Sequence, residues 1–154
     1  MRRFLLYFVA VTHLVVADAI AKEVAVGYLK GRPPLPVIPG FFDLAYVENR
    51  GCAWGMFQGQ VWPLAAFALA AIAFLLWKRE SVFGSGKCAA LSEALLYAGI
   101  VGNLIDRLFR GYVVDFLDFH WKAAYHFPCF NLADVFITVA AGLLILCSFA
   151  KRTS

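Results

Sequence analysis

Residues 133–150 read ADVFITVAAGLLILCSFA and residues 88–105 read CAALSEALLYAGIVGNLI. Each is a continuous apolar run carrying a single acidic residue, and 18 residues of helix at about 1.5 Å each reach roughly 27 Å, close to the thickness of a bilayer's hydrocarbon. Two further stretches match them: 4–21, FLLYFVAVTHLVVADAIA, and 61–77, VWPLAAFALAAIAFLLW. The hydrophobic positions do not alternate, which argues against strands and therefore against a membrane barrel. Lipid leaves a chain only helices or closed barrels in which to satisfy its backbone. The expectation is an all-α integral membrane protein with four transmembrane helices, folded as one domain over residues 1–154.

The whole chain is consistent with that reading. It has 154 residues, of which 62% are hydrophobic and 16% charged, a balance too apolar for a soluble domain of this size. The first run follows Arg2 and Arg3 and resembles a secretory signal, but it is long and Asp18 sits near its end, so it is expected to stay as the first span.

In a membrane protein the position of the basic residues matters more than the net charge of +4. Arg2, Arg3, Lys78, Arg79, Lys87, Lys151 and Arg152 crowd the short segments 1–3, 78–87 and 151–154. Lys22, Lys30, Arg32, Arg50, Arg107, Arg110 and Lys122 are spread over the longer 22–60 and 106–132. The positive-inside rule then puts both termini in the cytoplasm and both long loops outside. The first loop opens with Pro33, Pro34, Pro36 and Pro39, and Phe41–Val47 shows partial strand-like alternation, so a small extracytoplasmic β-element is expected there. Cys52, Cys88, Cys129 and Cys147 form no C-x-x-C pair and read as free thiols or packing residues, although Cys52 and Cys129 lie in outward segments that could meet.

Ionisable groups in or beside a span are costly and need a reason. Asp18, Asp106, Asp115, Asp118 and Asp134 all fall at the expected outward surface. Asn103-Leu104-Ile105-Asp106 closes the third span, and Asn131-Leu132-Ala133-Asp134 opens the fourth. At a spacing of three, Asn and Asp share a helix face, so two antiparallel neighbours would present two amide–carboxyl pairs to one place. Asn49 offers a further amide. Each feature also has a plainer explanation: Asn131 and Asp134 fit a capping box, and Asp106 with Arg107, or Asp18 with Lys22, fit ordinary ion pairs.

Taken together the carboxyls suggest an acid/base site. Two carboxyls held close in a low dielectric cannot both ionise cheaply, so one keeps its proton and can donate it while the other accepts one from water. That is the equipment for amide hydrolysis. No serine lies beside a base in the outward segments, His120 and His126 have no nucleophile near them in sequence, and no metal-ligand spacing occurs. A small cation or proton transporter and a non-enzymatic membrane chaperone are the rival classes for such a chain.

Several blocks in this order resemble one family, the bacterial lipoprotein signal peptidases, also called signal peptidase II. They are Asp18 with Lys22; Val37-Ile38-Pro39-Gly40-Phe41-Phe42; Tyr46-Val47-Glu48-Asn49-Arg50-Gly51; Gly102-Asn103-Leu104-Ile105-Asp106-Arg107; Gly111-Tyr112-Val113-Val114-Asp115-Phe116; and Phe130-Asn131-Leu132-Ala133-Asp134. The resemblance implies a four-span aspartic endopeptidase of the bacterial inner membrane; the chain is expected to be a monomer. The resemblance also implies diacylglyceryl-modified prolipoprotein substrates, cut before their lipidated cysteine, with no cofactor, no metal and no nucleic acid, and membrane lipid as surroundings. Carried over residue by residue, Asp115 and Asp134 match the catalytic aspartates. Asn49, Asn103, Asp106, Arg107 and Asn131 match the polar residues around them, and Asp18 an acidic position in the first span. Cys52 and Trp54 depart from the small residues that often follow the Asn-x-Gly block, which bears on the substrate pocket. The residues alone do not choose Asp115 over Asp106 as partner of Asp134; the resemblance makes that choice.

Overall fold

The computed structural model describes residues 2–121 and 125–152, apart from the side chains of residues 2–6, 53 and 150–152. Lys122, and the side chains of Arg2, Arg3, Lys151 and Arg152, which contributed to the orientation reading, lie outside the described residues.

Among the described residues five α-helices and four strands follow in the order α1 (Arg2–Leu29), β1 (Leu35–Ile38), β2 (Phe42–Asn49), α2 (Val61–Trp77), α3 (Arg79–Phe83), α4 (Lys87–Arg110), β3 (Val113–Trp121), β4 (Tyr125–His126) and α5 (Leu132–Arg152), with a single 3-10 turn at Ala53–Gly55. Among the described residues α4 and the Leu132–Phe149 part of α5 are long and apolar enough to cross a membrane, and α2 is a shorter apolar helix. Large side chains stand outward on these helices, Phe67 and Trp77 of α2 and Ile145, Leu146 and Phe149 of α5 among them. Water tolerates few such contiguous patches, whereas lipid solvates them.

Helix α4 is the hub, with α1, α2 and α5 all packed on it. Its contact with α5 is close because Gly99 has no side chain: a Cβ there would run into the Ala133 carbonyl and the Ile137 side chain. Small residues play this part generally where membrane helices meet. Gly111, left-handed at φ 75°, ends α4 and turns the chain into β3.

Three features differ from the sequence expectation. Helix α1 runs past residue 21 to Leu29, and its added turns bury Ala25 and Leu29 against Val114 and Phe116. That contact favours continuing the helix until Gly31, at φ 73°, and the following prolines stop it. The β-element is also larger than the first loop. A four-stranded antiparallel sheet in the order β1-β2-β3-β4 takes in the second loop as well, so helices plus a sheet replace the all-α label. Val113–Phe116 is buried on both faces, so β3 lacks the alternation that marks a half-exposed strand. Finally, Cys88 and Cys147 are disulfide-bonded, joining the start of α4 to the end of α5, whereas Cys52 and Cys129 are free. Antiparallel packing brings the first pair together across 59 residues of sequence, a proximity that spacing alone does not reveal.

Candidate active site

The chemistry-bearing residues gather where α1 and α4 finish, α5 begins and β3 passes between them. Asn131 is the residue before α5, and the capping box forms: the Asp134 backbone N–H donates to Asn131 Oδ1 at 3.0 Å, and the Asn131 backbone N–H donates to Asp134 Oδ2 at 3.2 Å. The same asparagine, fully buried, points its amide inward. Its Nδ2 donates to Asp115 Oδ1 at 2.7 Å and to Asn103 Oδ1 at 3.1 Å. Asn103 then donates its own Nδ2 to Asp134 Oδ1 at 2.7 Å. The two Asn-Leu-x-Asp segments therefore do meet at one site. Their pairing is crossed, however, with the Asn of α4 binding the Asp of α5.

Asp115 comes in from β3, where it sits opposite Val47 of β2. Asn49, at the end of β2, donates Nδ2 to Asp115 Oδ2 at 2.9 Å, and its Oδ1 is fixed by the Gly51 N–H at 2.9 Å. Asp115 is 2% exposed. Burial, reinforced by the nearby charge of Asp134, pushes its carboxyl up to about 7, against the opposing hydrogen bonds from Asn49 and Asn131 and the charge of Lys22. Asp134 is only half-buried and so is open to water. One buried carboxyl that holds its proton near neutrality thus lies beside one that water can reach.

Asp18 and Asp106 form a different unit beneath this pair. Lys22, 1% exposed, places its ammonium 2.8 Å from Asp18 Oδ2, 3.1 Å from Asp106 Oδ2 and 3.0 Å from Asn103 Oδ1, which satisfies all three of its donors. Both aspartates also hold backbone amides. Asp18 Oδ1 accepts the Ala133 N–H at 2.9 Å, and Asp106 Oδ2 accepts the Val114 N–H at 3.0 Å. This buried ion cluster ties α1 to the start of α5 and α4 to β3, one residue before each carboxyl of the pair above. Gly102 is part of the fit, since a Cβ there would lie 2.6 Å from Asp18 Oδ2.

The Asp18–Lys22 ion pair is as its spacing suggests, but Asp106 does not pair with Arg107. One turn further on, Arg110 Nε approaches Asp106 Oδ1 at 2.9 Å and its Nη2 pairs with Glu23. Arg107 instead donates to the carbonyls of Asn103, at 3.3 Å, and Gly51, at 3.1 Å, joining the end of α4 to the first loop. Asp118, further along β3, is not brought in and pairs with His126 of β4 at 3.6 Å. Sequence reasoning underrated Lys22; a lysine one helical turn after an aspartate in an otherwise apolar run was the available signal. Burial, with the Asp115 and Asp118 charges, pushes the Cys129 thiol up to about 12, so it is not a ready nucleophile.

This arrangement is that of a membrane enzyme, and solved structures agree. Two bacterial membrane enzymes superpose with TM-scores of 0.80 and 0.78, at 28% and 27% identity, covering 96% and 92% of this chain and 89% and 90% of theirs. The sequence model of signal peptidase (SPase) II matches residues 10–150. A lipoprotein signal peptidase of Syntrophotalea carbinolica is 40% identical over 94% of this chain and 91% of its own, and one of Clostridium acetobutylicum is 37% identical over 86% of each. The chain belongs to the signal peptidase II family and is an aspartic peptidase.

Proposed function

We propose that Asp115 and Asp134 are the catalytic pair of a lipoprotein signal peptidase, acting on diacylglyceryl-modified prolipoproteins just before the lipidated cysteine. The observation that carries this reading is Asn131. Through its side-chain amide and its backbone N–H, one residue holds both carboxyls, at 2.7 and 3.2 Å.

In the first step Asp134, as carboxylate, takes a proton from a water whose oxygen bonds to the scissile carbonyl carbon, while Asp115 gives its proton to the carbonyl oxygen. The result is a neutral tetrahedral diol. In the second step one diol hydroxyl returns its proton to Asp115, Asp134 protonates the departing amide nitrogen, and the C–N bond breaks. Both carboxyls end as they began. Asn49, Asn103 and Asn131 hold them in register; Arg107 fixes the first loop over the site; Asp18 and Asp106 act through the backbone they anchor. No metal is required.

The chain is taken to work as a monomer, a single domain of residues 1–154, with four spans in the bacterial inner membrane. Helix α1 supplies the first span although its last turns support the sheet, and both termini face the cytoplasm. The site then lies at the extracytoplasmic surface, and the substrate's acyl chains stay in the adjoining leaflet. The basic segment 78–87, at the opposite end of the helices from the site, supports this orientation.

Purified protein given a diacylglyceryl prolipoprotein should cleave it in the presence of chelator. Asp115→Asn and Asp134→Asn should each lower kcat by about 10²–10⁴-fold, with unchanged elution on size exclusion as the check on folding. Full activity in either variant refutes the assignment.

A further inference from the structure

At the other end of the helices from the carboxyl pair, α1, α2 and α4 surround a cavity of about 830 Å³ with mostly apolar walls, including Ile72, Leu76 and Val101. Its size lies within the roughly 300–1,000 Å³ of small-molecule sites. Helices α1 and α2 each pack on α4 but scarcely on each other. Phe8 of α1 and Leu76 of α2 line the cavity and are 62% and 60% exposed, so it opens sideways between those helices.

Among the polar groups in its wall, Tyr97 and Arg79 keep donors that the protein does not satisfy. Tyr97 is 7% exposed, and its hydroxyl has no hydrogen-bond partner. Leaving a buried hydroxyl unpaired is costly, and a ligand acceptor would recover that cost. Arg79 gives Nε and Nη2 to Glu93 at 2.5 and 2.7 Å. Two of its five N–H donors are thereby used, and the side chain is still 56% exposed. Lys78 precedes it and Lys87 begins α4, with Glu80 as the only acidic residue in segment 78–87.

We propose that this cavity binds an anionic phospholipid, with the phosphate on the free face of Arg79 beside Lys78 and Lys87, one acyl chain between α1 and α2, and an ester carbonyl accepting from Tyr97. The charge of Arg79 in the cavity wall, with Lys78 and Lys87 next to lining residues in sequence, selects this occupant over a signal peptide, whose positively charged N-terminal region the same basic segment would repel. It also selects against a zwitterionic lipid, whose ammonium meets the same repulsion. Occupancy would brace α1 and α2, which otherwise have only α4 between them.

The test uses the full chain, purified in detergent and offered phosphatidylglycerol or phosphatidylcholine of identical acyl chains, with bound lipid read by native mass spectrometry. Wild type should retain one phosphatidylglycerol with a preference of about tenfold, as expected from two or so basic side chains near an anionic headgroup. Ala90→Trp, which projects an indole into the cavity where the acyl chain would lie, should abolish retention, and Tyr97→Phe should weaken it several-fold. Both variants should cleave precursor in detergent at the wild-type rate, which shows that they fold. Equal retention of the two lipids, or unchanged retention in Ala90→Trp, overturns the proposal. So does a photo-crosslinker at residue 90 that captures the precursor's signal peptide instead of lipid.

Discussion

Replacing Asn49 with leucine tests the proton balance of the carboxyl pair by moving it in a known direction. Asn49 Nδ2 donates to Asp115 Oδ2 at 2.9 Å, and this bond favours the ionised form. Removing it, and putting apolar bulk in its place, destabilises the anion further. A buried hydrogen bond to a charged group is worth about 1.5–3 kcal/mol, which corresponds to roughly one to two pH units. In wild type the limb on which activity falls with rising pH should follow Asp115 ionisation, near 7. In Asn49→Leu that limb should move up by about a unit or more, alongside a lower maximum from the lost alignment. The assay is kcat/KM for a diacylglyceryl prolipoprotein between pH 5 and 9, with precursor and product resolved on a gel. A limb that stays in place, or moves to lower pH, would refute the claim that Asp115 works as the protonated member.

Three other outcomes follow from the same contacts. The Asp115 carboxyl rises from an ordinary 3.8 to about 7, so the folded state holds the proton more tightly than the unfolded one. The resulting stability, about 4 kcal/mol, is fully present below pH 4 and lost as pH rises through 7, and denaturation in detergent of wild type against Asp115→Asn should show that slope in the wild type alone. Lys22→Met leaves Asp18 buried without a cation and Asp106 with Arg110 alone, which should cost about 3–5 kcal/mol and show as a lowered Tm and poor folded yield. Gly102→Ala places a Cβ 2.6 Å from Asp18 Oδ2 and 3.2 Å from Ala133 Cβ. That overpacking should cost about 1–3 kcal/mol and reduce cleavage by displacing the start of α5, as read by Tm and kcat together.

Legibility in the sequence depended on how local each feature's cause was. Helix α2 is found at the residues its apolar run marks, because hydropathy and length are properties of the run itself. Asn131 and Asp134 were legible twice over, as cap and as chemistry, since a capping box needs only a spacing of three. What depended on contacts between distant segments was hidden. The last turns of α1 are held by β3, the strand β3 is buried on both faces, and the Cys88–Cys147 bond needs α4 and α5 already packed. Arg107 shows the limit best: adjacency suggested an ion pair with Asp106, but helical geometry favours the residue four positions on, so Arg110 takes that carboxylate and Arg107 reaches Gly51.

The most direct test is an infrared titration of the carboxyl C=O band in wild type, Asp115→Asn and Asp134→Asn, each purified in detergent. One protonated carboxyl should persist in wild type until about pH 7, vanish in Asp115→Asn, and titrate at lower pH in Asp134→Asn, where the neighbouring charge is gone. A wild-type spectrum without a carboxyl titrating near neutrality, or one that Asp115→Asn leaves unchanged, contradicts the account.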